Sequence, residues 1–140
     1  MAVVTTQSQQ TYLSPVALYD STGNTANVAS GSATTIYAVP SDGGGLYLVQ
    51  LYEVITVAAS SSSELPDILI TWTDRDANST NTYDLAGSST KTLGTYIQAS
   101  IIINAKISTN IQFTSGSVNA YASSAAGMTF SMRIRLSYLA

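Results

Sequence analysis

Neither cysteine nor histidine occurs in the 140 residues of this chain. Without thiols there is no disulfide framework, no thiolate site and no clue to redox compartment. With imidazole absent too, most zinc sites, cysteine nucleophiles and Ser-His-Asp triads are removed. Charge is also scarce. Five basic and eight acidic side chains make 9% of the chain and a net charge of −3, against roughly 25% charged residues in an ordinary domain. Nucleic-acid binding needs a basic footprint, and five cations do not supply one. No apolar stretch is long enough to cross a bilayer as a helix. The opening residues 1–10 lack the basic start and apolar run of a signal peptide.

What fills the gap is hydroxyl. There are 21 Ser and 18 Thr beside a hydrophobic content of 45%. The length suits one domain with a real core. A chain rich in Thr, Tyr and β-branched residues favours sheet over helix. Its surface is expected to carry hydroxyls rather than ions, and such a surface loses its water more cheaply than a charged one. That suits a protein covered by neighbours.

Period-two alternation is clearest at the end. Met128, Phe130, Met132, Ile134, Leu136 and Tyr138 share one parity, while Thr129, Ser131, Arg133, Arg135 and Ser137 share the other. Successive side chains of a strand point to opposite faces, so this is a half-buried strand. Leu46 to Ala58 is apolar on both parities apart from Gln50, Glu53 and Thr56. It reads as a central strand covered on one side by a second sheet and on the other by a loop or another subunit.

Further strands are expected at Pro15 to Tyr19, Thr34 to Val39, Asp67 to Asp74 (Ile68, Ile70 and Trp72 inward), Asn81 to Ala86 and Tyr96 to Ile107. Asn110 to Thr114 follows a short turn, which predicts a hairpin with the strand before it; Val118 to Tyr121 extends it. Turn formers mark Asp20 to Ser32, Pro40 to Gly45, Ala59 to Pro66, Arg75 to Thr80, Gly87 to Gly94 and Ala122 to Gly127 as connections. The sum is an all-β, two-sheet antiparallel sandwich of about eight strands, jelly-roll-like, over residues 15–140. Residues 1–14 are expected to form a flexible arm.

The order of Ile70-Thr-Trp-Thr-Asp74, Ala105-Lys-Ile-Ser-Thr-Asn-Ile-Gln-Phe-Thr114 and the final Met128-to-Leu139 strand resembles small structural proteins of tailed bacteriophages, of the head-decoration or fibre type. The chain departs from their commonest ending at Ser137, where an acidic residue often follows Leu, so an acid–arginine pairing there does not carry over. The resemblance implies a decoration (cementing) protein: a β-sandwich oligomer, a cyclic trimer by preference, seated on the outer surface of the head against the major capsid protein. Candidate subunit or capsid contacts are Arg133, Arg135, Glu53, Tyr12 and Leu13. The alternative is a tail or fibre module that binds a host surface glycan.

No residue set builds a catalytic, cofactor or metal site, and neither nucleic acid nor membrane is an expected partner. Asp74-Arg-Asp76-Ala-Asn78-Ser-Thr80 alternates oxygen ligands as a calcium loop does, but lacks the Gly and the closing Glu. It reads as a turn whose side chains cap local backbone groups. Asn78-Ser-Thr80 fits a glycosylation acceptor by chance. Trp72 and the tyrosines could form a sugar platform, although an inward Trp is more often core. Glu53 and Asp74 could be imagined as a glycosidase pair, with nothing to fix their separation. Glu53 interrupts an apolar face, so it is expected to find a basic partner or reach water. Asp67, Asp84, Glu53 and Glu64 are the carboxylates available to the two arginines.

Overall fold

A computed structural model describes residues 15–25, 33–58, 63–85, 89–90, 94, 96–115 and 128–140. Among these the regular elements are all strands: β1 (Pro15–Thr25), β2 (Thr34–Ala38), β3 (Gly45–Val57), β4 (Ser63–Glu64), β5 (Ile68–Thr73), β6 (Thr80–Leu85), β7 (Ser89–Thr90), β8 (Tyr96–Ala105), β9 (Asn110–Ser115) and β10 (Thr129–Tyr138). The arm at residues 1–14, the extension at Val118 to Tyr121 and the connection at Ala122 to Gly127 lie outside the described residues.

The strands pair in a nested way. β1 pairs with β10, β2 with β9, β3 with β8, β4 with β7 and β5 with β6, always antiparallel. The chain is thus one long double ribbon with its tip at the β5–β6 turn. Two further pairings, β10 with β3 and β5 with β9, join windings of that ribbon into sheets. One sheet has the order β1-β10-β3-β8 and the other β2-β9-β5-β6, with β4-β7 as a short separate ribbon. This is the jelly roll expected from the sequence, an arrangement in which two packed sheets share one core.

The core follows the alternation. Met128, Phe130, Met132, Ile134 and Leu136 of the last strand are buried, as are Tyr47, Val49, Leu51 and Ile55 of β3. Ile68, Ile70, Trp72, Ile111 and Phe113 meet them from the second sheet. Tyr19 of β1 reaches across to Phe113 of β9, with ring centroids 4.7 Å apart. Each fully buried Ile or Leu contributes on the order of 2 kcal/mol through apolar area removed from water.

Two expectations are corrected. First, β8 and β9 do not form a hairpin: β8 pairs with β3, while β9 pairs with β2 and β5 in the other sheet. The intervening corner spends its backbone groups on neighbours. Lys106 N donates to Thr73 O at 2.9 Å, and Ser108 N to Val39 O at 2.9 Å. Ser108 adopts a φ of 57° to make the bend, and Ile107 lies beyond the strand and exposed.

Second, β1 continues past Tyr19 to Thr25 through the expected loop, absorbing Thr22 and Gly23 at a register shift between Ser21 and Asn24. A bulge lets an edge strand keep its partner despite turn-forming residues. Within the single chain Leu46 and Tyr52 on the second side of β3 are exposed, so among the described residues no loop covers that side and another subunit is the cover left to expect.

Candidate functional site

The outer face of the β1-β10-β3-β8 sheet is where the described sequence leaves apolar and polar groups together. β3 sends even-numbered residues outward, and its register with β8 places Leu48 beside Ile102, Gln50 beside Ser100, Tyr52 beside Gln98 and Val54 beside Tyr96. On its other side Tyr52 meets Arg133 and Gln50 meets Arg135. β1 completes the rows with Asp20 beside Arg133 and Leu18 beside Arg135.

Two apolar groups flank a polar centre. Leu46 and Ile102 are exposed toward one end, with Leu48 half-buried between their strands. At the other end Tyr52 and Tyr96 stack, ring centroids 5.9 Å apart and planes 26° from parallel. Leu18 and Tyr96 are among the most exposed large side chains, at 61% and 59%. Between the ends lies a shallow groove lined by Leu18, Gln50, Tyr52, Gln98, Arg133 and Arg135.

The two arginines are thus brought together on one face, as their parity requires. The carboxylate that Arg133 meets is none of those anticipated. Its Nε lies 3.2 Å from Asp20 Oδ2, in a pair open to solvent on both sides. Asp20 was missed because it was assigned to a loop; only the unexpected length of β1 puts it opposite Arg133. An exposed pair of this kind orients the guanidinium but adds less than about 1 kcal/mol of stability. Ser137 is 1% exposed, a position where an ionised carboxylate would be costly.

Glu53 departs from expectation most. It is fully buried, and among the described residues neither carboxylate oxygen has a hydrogen-bond partner. Burial first, and the nearby Asp67 second, push its pKa up to about 8. The group is therefore held largely as the neutral acid at neutral pH, which is how a protein tolerates an unpaired carboxyl in its interior. As a buried residue of this chain, Glu53 is not placed to touch another subunit, so it leaves the set of candidate contacts. Tyr12 and Leu13 lie outside the described residues.

The remaining motifs take their plain readings. Asp74 Oδ1 accepts hydrogen bonds from the backbone N–H of Asp76 (2.9 Å) and Ala77 (2.8 Å), and Asn78 takes a φ of 53°. The run is a capped turn, fastened to the β8 end by Asn104 Nδ2 donating to Asp76 Oδ2 at 2.9 Å. Among the described residues no group of three or more acidic side chains is arranged to hold a metal ion. Trp72 is core, and the aromatic pair that does face outward is Tyr52 with Tyr96. Glu53 is sealed inside while Asp74 caps the β5–β6 turn, so the two share no accessible cleft.

Against known proteins, no family model matches this chain and no curated protein matches it.

Proposed function

We propose that this chain is a virion protein of a tailed bacteriophage that decorates and stabilises the outer surface of the head. The observation that carries the reading is the outer face of the β1-β10-β3-β8 sheet. A central strand that is apolar on both sides has only one side buried by its own chain. Leu46, Ile102, Tyr52 and Tyr96 are left exposed on the other. Large apolar side chains exposed at both ends of one sheet face suit contact with another protein. In this reading copies of the chain, as a cyclic trimer, and the major capsid protein share the work of covering it.

Cementing then needs no chemistry. Many modest contacts, repeated in each subunit and engaged at once on several capsid subunits, add up to firm attachment. The hydroxyl-rich, weakly charged exterior supports this, because it gives up water at low cost. The test is to measure the mass in solution and then mix the protein with undecorated capsids. A trimer that saturates the particles is the expected result. A monomer indifferent to them would end the reading.

The stacked pair Tyr52–Tyr96 beside a groove favours a second reading, a tail or fibre module that binds a host surface glycan. Imaging virions with labelled protein separates the two, since label confined to the tail tip contradicts a place on the head.

A further inference from the structure

A sheet edge exposes a row of backbone donors and acceptors, and folded proteins blunt such edges with charge, proline, bulges or shortness. The two four-stranded sheets end on β1, β8, β2 and β6. Three of these are blunted. β1 carries Pro15, Asp20 and two register shifts. β2 has five residues, and β6 has six and carries Asp84. β8 is different: it runs for ten residues, Tyr96–Ala105, with no charge, proline or glycine.

The hydrogen bonds show which of its backbone groups face outward. Leu46 of β3 spends both its groups on the β10 side: its N donates to Ala140 O and its O accepts from Leu139 N, each at 2.8 Å. Alternate residues of a strand serve alternate neighbours, so odd-numbered residues of β3 serve β8. Their partners Ile97, Ala99, Ile101, Ile103 and Ala105 are odd too. The even residues of β8 therefore point away from the sheet. At Asn104 that side is taken, since Arg75 N donates to Asn104 O at 3.0 Å. Tyr96, Gln98, Ser100 and Ile102 have no strand beside them among the described residues.

A second β8, antiparallel across a two-fold axis at Ala99, pairs all four. Tyr96 then lies opposite Ile102 and Gln98 opposite Ser100, each pair exchanging both backbone bonds. The side chains match as well. Tyr96 and Ile102, each 59% exposed, make aromatic–β-branched pairs, and the amide meets the hydroxyl. On the inner face Ile97 meets Ile101, and Ala99 meets its own copy; all three are only partly buried in the single chain. No charge opposes another along the row. Shifting the register by two sets Tyr96 against Asn104, whose oxygen is already used. The opposite shift leaves Ile102 beyond the start of the partner strand.

We propose that the free edge of β8 is a self-pairing surface, through which two copies join antiparallel along residues 96–102 and merge their four-stranded sheets into one. The contact uses the strand edge and a two-fold axis. It can stand beside a cyclic trimer, as in a dimer of rings, and it rests on the fold rather than on a place in the head.

The chain has no cysteine, so Ala99→Cys introduces a single thiol, on the axis. Facing Cα atoms in such a non-hydrogen-bonded pair are about 4.5 Å apart, within disulfide reach. Mild oxidation should convert most of this variant to a covalent dimer. Tyr96→Cys, whose copies would lie about 20 Å apart along the strands, should give at least tenfold less. Sedimentation of the unaltered chain should show its mass doubling with concentration, from whatever unit it starts. Ser100→Pro removes an outward N–H that β3 does not use, and should weaken the doubling tenfold or more with the circular dichroism unchanged. Gln98→Lys combined with Ser100→Lys, both at exposed positions, sets like charges opposite each other. It should have the same effect even where proline disturbs the strand. A mass that does not double at millimolar chain overturns the proposal, as does doubling unchanged by the paired lysines or equal cross-linking of the two cysteine variants. Slow hydrogen exchange at the Ser100 and Ile102 amides of the undoubled chain would show the edge covered from within, and overturns it too. Doubling without capsid attachment keeps the pairing and ends the head reading; attachment without doubling does the reverse.

Discussion

Asp67 lies close enough to Glu53 inside the sandwich to make the Glu53 proton harder to remove. Burial is the larger cause, and together they raise the group to about 8. An unfolded glutamate titrates near about 4.3. Between those values the folded chain holds a proton that the unfolded chain has lost, so stability falls as pH rises. Glu53's contribution is complete below the unfolded value and is lost as pH rises through about 8. Asp84, also raised by burial and then by Asp67, acts in the same direction. Urea unfolding at pH 5, 6.5 and 8 should show declining stability, on the order of several kcal/mol in total. Glu53→Gln, which cannot ionise, should flatten most of that slope. A wild-type profile that rises toward pH 8 would contradict the account.

Adjacent isoleucines of β8 should behave oppositely. Ile103 is 2% exposed and Ile102 is 59% exposed. Ile103→Ala should cost about 2–5 kcal/mol through lost burial and the cavity left behind. Ile102→Ala should change stability by no more than about 0.5 kcal/mol, and under the proposed function it should weaken self-association and attachment to capsids. Denaturation curves and sedimentation of the two variants measure both effects.

Gly45 holds the start of β3 against the end of β10. Its φ is 151°, and a Cβ placed there would sit 2.2 Å from the Ala140 carbonyl oxygen. That oxygen accepts from Leu46 N at 2.8 Å, and Leu139 N donates to Leu46 O at 2.8 Å. Gly45→Ala should therefore cost about 1–3 kcal/mol and release the last pairings of the sheet. Hydrogen exchange at the Leu46 and Leu139 amides is the sensitive readout.

Removal of residues 1–14 should leave the fold intact, because the described pairing of β1 with β10 runs from Pro15 to Thr25. Under the proposed function oligomers should still form, while attachment to particles should weaken. An unfolded product would show that the segment belongs to the core.

Much of this architecture was legible in the chain, and the exceptions share a cause. Alternation located β3, β5, β8, β9 and β10 to within a residue or two, since burial on one face dictates side-chain parity. It carries no information about which strand lies next to which. The turn at Lys106 to Thr109 therefore looked like a hairpin, although its partners are Thr73 and Val39 in distant strands. Parity also placed Arg133 and Arg135 on one face, but register alone brings Asp20, Tyr52 and Gln98 into their rows. Glu53 was recognisable as an anomaly on an apolar face. Its lack of a partner was not, because a protonated carboxyl needs no cation and leaves no sign in the sequence.

The strand nearest the carboxyl end, β10, occupies an inner place in its sheet, between β1 and β3. A ribosome has therefore delivered the nine other described strands before the one that joins them arrives. Until then β1 and β3 have no shared neighbour, and their bare edges are open to pairing with other chains. The long sequence separation of these contacts also makes closure slow. Nascent chains are at their most sticky until Thr129–Tyr138 emerges, and a stop codon ahead of Thr129 would release a product that cannot close its sheet.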